Sequence, residues 1–159
     1  MTASKFRTLG GAPRAAEVAL LSGVTLLGAL WALEVQHYLP WAFFKEQYLG
    51  LFLAIALAAV FVAVRSGPGA PADRVPLYDW LLALGGLTIG LYIAILYPSI
   101  AYRLGVLTWD KVALGAVAVV LVLEATRRLV GWVMVIMGAG FILYAKFAWL
   151  LPGMLGGKG

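Results

Sequence analysis

The chain alternates between long apolar runs and short polar breaks, and the runs set the expected elements. The first is 18–33, closed by Glu17 and Glu34. An α-helix rises about 1.5 Å per residue and needs about 20 residues to cross about 30 Å of hydrocarbon. A span over 15–37 reaches that length, with both glutamates near the headgroups. Lys5, Arg7 and Arg14 ahead of it resemble the basic start of a signal peptide, but the run is long and no A-x-A site follows. It reads as an uncleaved transmembrane helix. Next come Pro40, Trp41, Phe43 and Phe44 beside Lys45 and Glu46. Proline suits a first helical turn and aromatics beside charges suit the membrane interface. Residues 40–46 therefore form an interfacial helix or an aromatic-anchored loop.

A second span is expected over 47–65, with Ala54/Ala58 and Ala59/Ala63 placing small residues on shared faces. The stretch 66–76 is rich in proline, glycine and polar residues, which reads as a loop outside the bilayer. The third span, 78–98, is uncharged from Trp80 onward and holds Gly86-Leu87-Thr88-Ile89-Gly90, a GxxxG at which another helix can approach closely. Tyr97-Pro98 is expected to end or kink it. A fourth span, 108–126, needs the polar residues at both ends, because its uncharged centre, 112–123, covers only about 18 Å. Glu124, Arg127 and Arg128 form a charged knot before the last run, 129–150.

Composition agrees with the pattern. The sequence is 64% hydrophobic and 12% charged, with a mean hydropathy of +0.97, against about 45–50% and about 25% in soluble domains. So short a chain cannot hide that much apolar surface in one globular core. The expected fold is all-α: one integral membrane domain over 1–159, a bundle of four to five transmembrane helices. The net charge of +5 is scattered between apolar runs, where it orients helices, so nucleic acid is not an expected partner. With the N-terminus inside, Lys5, Arg7, Arg14, Arg65, Arg74, Arg127 and Arg128 are cytoplasmic and outnumber the positives outside, which favours that orientation.

Catalytic chemistry is poorly served. The chain has no cysteine and one histidine, His37, which sits near Tyr38 and Pro40 at an expected helix end. That excludes thiolate metal sites and bis-histidine haem ligation within the chain. Gly138-Ala139-Gly140 lies inside an apolar run with no preceding strand, so it is no dinucleotide fingerprint. No enzymatic activity is expected, and no catalytic, cofactor, metal or substrate site in this chain. Tyr78, Trp80, Tyr102, Trp109 and Trp149 read as interface belts. Glu17, Glu34, Asp110, Lys111 and Lys146 are placed at helix ends within reach of water. Glu124 lies three and four positions from Arg127 and Arg128, so it can pair with either on a helix. The knot is then either a cytoplasmic anchor with an internal ion pair or a polar contact onto a partner subunit.

The second half carries a resemblance. Pro76-Leu77-Tyr78-Asp79-Trp80-Leu81-Leu82 is followed by Leu121-Val122-Leu123-Glu124-Ala125-Thr126-Arg127-Arg128, then Val130-Gly131, Phe141-Ile142-Leu143-Tyr144-Ala145 and Leu151-Pro152-Gly153. In this order, over 76–153, the chain resembles the N-terminal part of the fused permeases of TRAP transporters, the branch that works with TAXI-type binding proteins. The Leu-Glu-Ala-Thr-Arg-Arg string is the most specific element; the first half matches mainly in hydropathy. In that family a small four-helix Q-type portion precedes a large M-type portion. The resemblance implies a scaffold for a secondary importer of organic acids in a bacterial or archaeal inner membrane. Its implied partners are a large M-type permease subunit and a periplasmic TAXI-type substrate-binding protein. Substrate and any sodium coupling then belong to the large portion. Glu124, Arg127, Arg128, Gly86, Gly90, Tyr78, Asp79 and Trp80 are the assembly candidates. The family's chains continue far past Leu-Pro-Gly, so this sequence is expected to be a split small subunit or a piece of a longer permease, and 129–150 either spans or lies along the interface. The competing reading is a small anchor or assembly subunit of another membrane complex, such as a respiratory enzyme.

Overall fold

A computed structural model describes residues 4–38, 44–102 and 108–147. The expected all-α architecture is what it shows. The helices are α1 (Gly11–Ala32), α2 (Lys45–Ala63), α3 (Leu77–Ala101), α4 (Trp109–Leu129) and α5 (Trp132–Phe147). Among the described residues there is no strand, only an isolated bridge between Phe6 and Val64. Three helices, α1, α2 and α3, are long and apolar enough to cross a membrane. α4 has the length but is charged at both ends, and α5, at 16 residues, covers about 24 Å.

α1 starts ahead of the expected boundary because Gly11 takes a left-handed φ of 59° and Pro13 sits in the first turn, where its missing N–H is not needed. The helix therefore takes in Arg14 and Glu17, whose side chains pair at 2.7 Å. Glu17 is buried, so the expectation that it reaches water is corrected: its helical neighbour supplies the counter-charge. Glu34, at φ 54°, stops the helix, and a short 3-10 turn, Val35–Tyr38, follows. The expected segment 40–46 lies largely outside the described residues; α2 begins at Lys45.

α2 and α3 form the tightest pair. Gly50, Ala54, Leu57 and Phe61 are buried on α2, and Ala83, Gly86, Ile89 and Gly90 on α3. A Cβ placed on Gly90 would stand 2.5 Å from Ala54 Cβ and 2.6 Å from the Gly50 carbonyl oxygen; one on Gly86 would stand 2.8 Å from Leu57 Cβ. Lipid tails are as apolar as the side chains, so such helices associate through close packing rather than through escape from water. Leu121 and Ala125 of α4 complete the core around Leu57, Phe61, Ala83 and Ile89. α1 packs on α2, where Trp31 stacks on Tyr48 at 4.2 Å and Tyr48 Oη donates to the Leu27 carbonyl at 3.1 Å.

Of the two expectations for Tyr97-Pro98, an end to the helix is corrected, since α3 runs through Pro98 to Ala101. Proline removes the hydrogen bond that would reach back to the carbonyl of Ala94. Gln47 supplies the replacement: its Nε2 donates to that carbonyl at 2.8 Å, while its Oε1 accepts from the Phe44 N–H at 3.2 Å. One side chain thus caps the start of α2 and mends the break in α3.

α5 turns off α4 at Gly131, whose φ of 113° is a conformation that side chains with a Cβ rarely adopt. None of its residues is buried.

Candidate functional site

One end of the bundle gathers a cluster of ion pairs. The loop expected at 66–76 is seen between α2 and α3, and the segment before α1 is laid against it. Arg7 N donates to the Ala63 carbonyl at 2.9 Å, Arg65 N to the Lys5 carbonyl at 3.0 Å, and Thr8 N to the Ala72 carbonyl at 2.9 Å. The last carbonyls of a helix have no partner within it, and here the backbone of the N-terminal segment satisfies that of Ala63.

That register drops the Arg7 side chain over the C-terminal end of α2. Its Nη1 donates to the carbonyls of Phe61, at 2.9 Å, and Val62, at 2.8 Å, where the helix dipole favours a cation. Its Nη2 donates to Asp79 Oδ2. Asp79 lies in the first turn of α3, the end that favours a carboxylate, and its exposure is 0%. From the other side Arg128 Nη1 stands 2.7 Å from Asp79 Oδ1, an ion pair by distance without hydrogen-bond alignment, which leaves Oδ1 with no aligned donor. Arg128 Nε donates to Glu124 Oε1 at 2.8 Å. Arg127 grips the same carboxylate with two bonds of 2.7 Å and donates to the Ser66 carbonyl at 3.2 Å.

The result is an alternating chain, Arg7–Asp79–Arg128–Glu124–Arg127, that ties together the N-terminal segment, α2, α3 and α4. Aromatic faces extend it. The Arg128 guanidinium lies 5.0 Å from the Phe61 ring and that of Arg127 5.5 Å from the Trp132 ring, within the range of a cation–π contact. Arg7, Asp79 and Arg128 are each almost wholly buried. The arrangement is suited to locking helix ends together.

The sequence candidates fall into two groups. Glu124, Arg127, Arg128 and Asp79 converge in this cluster. Tyr78 lies at its rim, its hydroxyl 2.7 Å from Ser66 Oγ, and Trp80 packs against the core. Gly86 and Gly90 lie apart from it, in the α2–α3 seam. Tyr102 and Trp109 are strongly exposed, Trp149 lies outside the described residues, and Gly138-Ala139-Gly140 lies within α5. Among the described residues no group of three or more histidines or carboxylates could hold a metal ion.

The role of Arg7 was not legible in the sequence, where it reads only as one of several positive charges before the first span. The clue available was Asp79, a carboxylate entering an uncharged run, which must find a counter-charge if it is buried. No known protein family, curated protein or solved structure matches this chain.

Proposed function

We propose that the protein is the small, Q-type scaffold of a TRAP-type secondary importer of organic acids, working beside a large M-type subunit and a periplasmic TAXI-type binding protein. The observation that supports this most is a coincidence of motif and geometry. Two of the five strings that carry the resemblance, one around Asp79 and one around Glu124-Ala125-Thr126-Arg127-Arg128, meet in space through Asp79 and Arg128, 2.7 Å apart. Residues that a scaffold needs for rigidity are the same residues that carry the resemblance. Substrate and coupling ion are assigned to the large subunit, and the chain is placed in an inner membrane with its N-terminus cytoplasmic.

A support role also fits the distribution of apolar surface. α5 has no buried residue, and Val117, Val120, Val133, Ile136 and Phe141 are exposed, so α4 and α5 offer surface to lipid and to a larger partner. The test is affinity purification from native membranes in mild detergent, followed by reconstitution. The expected result is co-recovery of a large permease subunit, with uptake of an organic acid in liposomes only when both membrane chains and the binding protein are present. Recovery without any permease subunit, or a haem spectrum from the purified complex, would overturn the reading in favour of an anchor for another membrane enzyme.

A further inference from the structure

Beside the ion-pair cluster, at the same end of the bundle, a cleft of about 430 Å³ opens, lined by Lys5, Arg65, Ser66, Arg127, Arg128 and Trp132 among others. Among the described residues no carboxylate lines it. Arg127 and Arg128 share Glu124 behind it. Lys5 and Arg65 have no carboxylate at ion-pair distance among the described residues. Their partners are carbonyls instead: Lys5 Nζ donates to Leu129 at 3.3 Å, and Arg65 donates to Ala70 at 2.8 Å and Pro68 at 2.9 Å. Carbonyl dipoles orient these cations without cancelling their charge, so the cleft carries a positive excess that the described residues do not balance.

Its position says what can. The cleft lies where α2 and α4 end and α5 begins, which is headgroup level when the apolar helices cross a bilayer. Trp132, exposed at its edge, is the residue type enriched at that level. From there α5 leads away with Val133, Ile136 and Phe141 exposed, a surface on which acyl chains can lie. The volume suits a glycerophosphate group, near the low end of the range of small-molecule sites. We propose that this cleft binds the phosphate of an anionic phospholipid, with Lys5, Arg65 and Arg127 as donors to its oxygens. The proposal stands whether or not the chain partners a permease.

The shared chemistry is a phosphate anion, so the experiment must separate lipid from free ion. The purified full chain in mild detergent is titrated separately with phosphatidylglycerol, phosphatidylcholine and inorganic phosphate, and thermal unfolding and native mass spectrometry are recorded. Phosphatidylglycerol alone is expected to raise the melting temperature and remain bound. Lys5→Glu, which places a negative charge at the exposed lip without touching the buried cluster, is expected to weaken its apparent affinity by about tenfold or more. Lys5→Gln should lie between, showing that the effect follows charge. Equal stabilisation by phosphatidylcholine, or unchanged phosphatidylglycerol affinity in folded Lys5→Glu, overturns the site. The same shift with inorganic phosphate overturns the lipid as its occupant.

Discussion

Asp79 is the position at which one atom's worth of change should be most visible. Asp79→Asn keeps the shape of the side chain and one carbonyl oxygen but removes the charge that faces both Arg7 and Arg128. Removing one partner of a buried ion pair costs about 3–5 kcal/mol, mostly because the charge left behind has no compensation. Here the residual compensation can be read from the structure. Arg7 keeps the carbonyls of Phe61 and Val62, and Arg128 keeps Glu124. The expected cost is therefore at the lower end, about 3 kcal/mol. On the scale of soluble domains of similar length this lowers the melting temperature by roughly 10 °C. The measurement is thermal unfolding in mild detergent followed by tryptophan fluorescence, with survival of the monodisperse peak on gel filtration as a second readout. Combining Asp79→Asn with Arg7→Met should cost less than the two single losses together, by about 1 kcal/mol or more, because the double variant removes both halves of the pair. An Asp79→Asn protein melting with wild type, or strictly additive losses, would refute the claim that this carboxylate holds the helix ends together.

Other positions separate features that look alike in the sequence. Arg128→Ala should destabilise more than Arg127→Ala, since Arg128 is buried against Asp79 and Arg127 is only partly covered; the same unfolding assay ranks them, and the reverse order contradicts the geometry. The double replacement Arg127→Ala with Arg128→Ala should also weaken orientation, which single introduced cysteines can report because the chain has none of its own. Gly90→Leu and Gly86→Leu should lose about 1–3 kcal/mol by overpacking, whereas Gly28→Leu, with open space around it, should stay near wild type; similar melting of all three would make the seam incidental. Gln47→Leu leaves the Ala94 carbonyl without its donor and should cost about 1–3 kcal/mol. Adding Pro98→Ala, which restores a backbone N–H for that carbonyl, should recover part of the loss, and failure to recover it would show that Gln47 acts otherwise.

Much of the fold could be read from the runs of apolar residues, because a bilayer demands long uninterrupted helices and leaves few alternatives. The class, the polar loop 66–76 and the GxxxG on the third run all came from local pattern. What escaped were long-range pairings. Proline at 98 can end a helix by local rules; α3 continues past it, with Gln47, on another helix, taking over the abandoned carbonyl. Arg7 carries no motif and lies far along the chain from both Asp79 and Arg128.

The sequence by itself therefore determined the solvent, the helical class and the i,i+3 and i,i+4 pairing of Glu124 with its two arginines, since each depends on residues within a few turns of one another. Only the tertiary structure decided that Asp79 and Arg7 extend this pairing into one chain of charge, buried at Arg7, Asp79 and Arg128, and that Lys5 and Arg65 line a cleft with no carboxylate among the described residues. The physical reason is distance along the chain: a counter-charge is chosen by which helix ends meet, and that is fixed by how the small-residue faces of α2 and α3 pack.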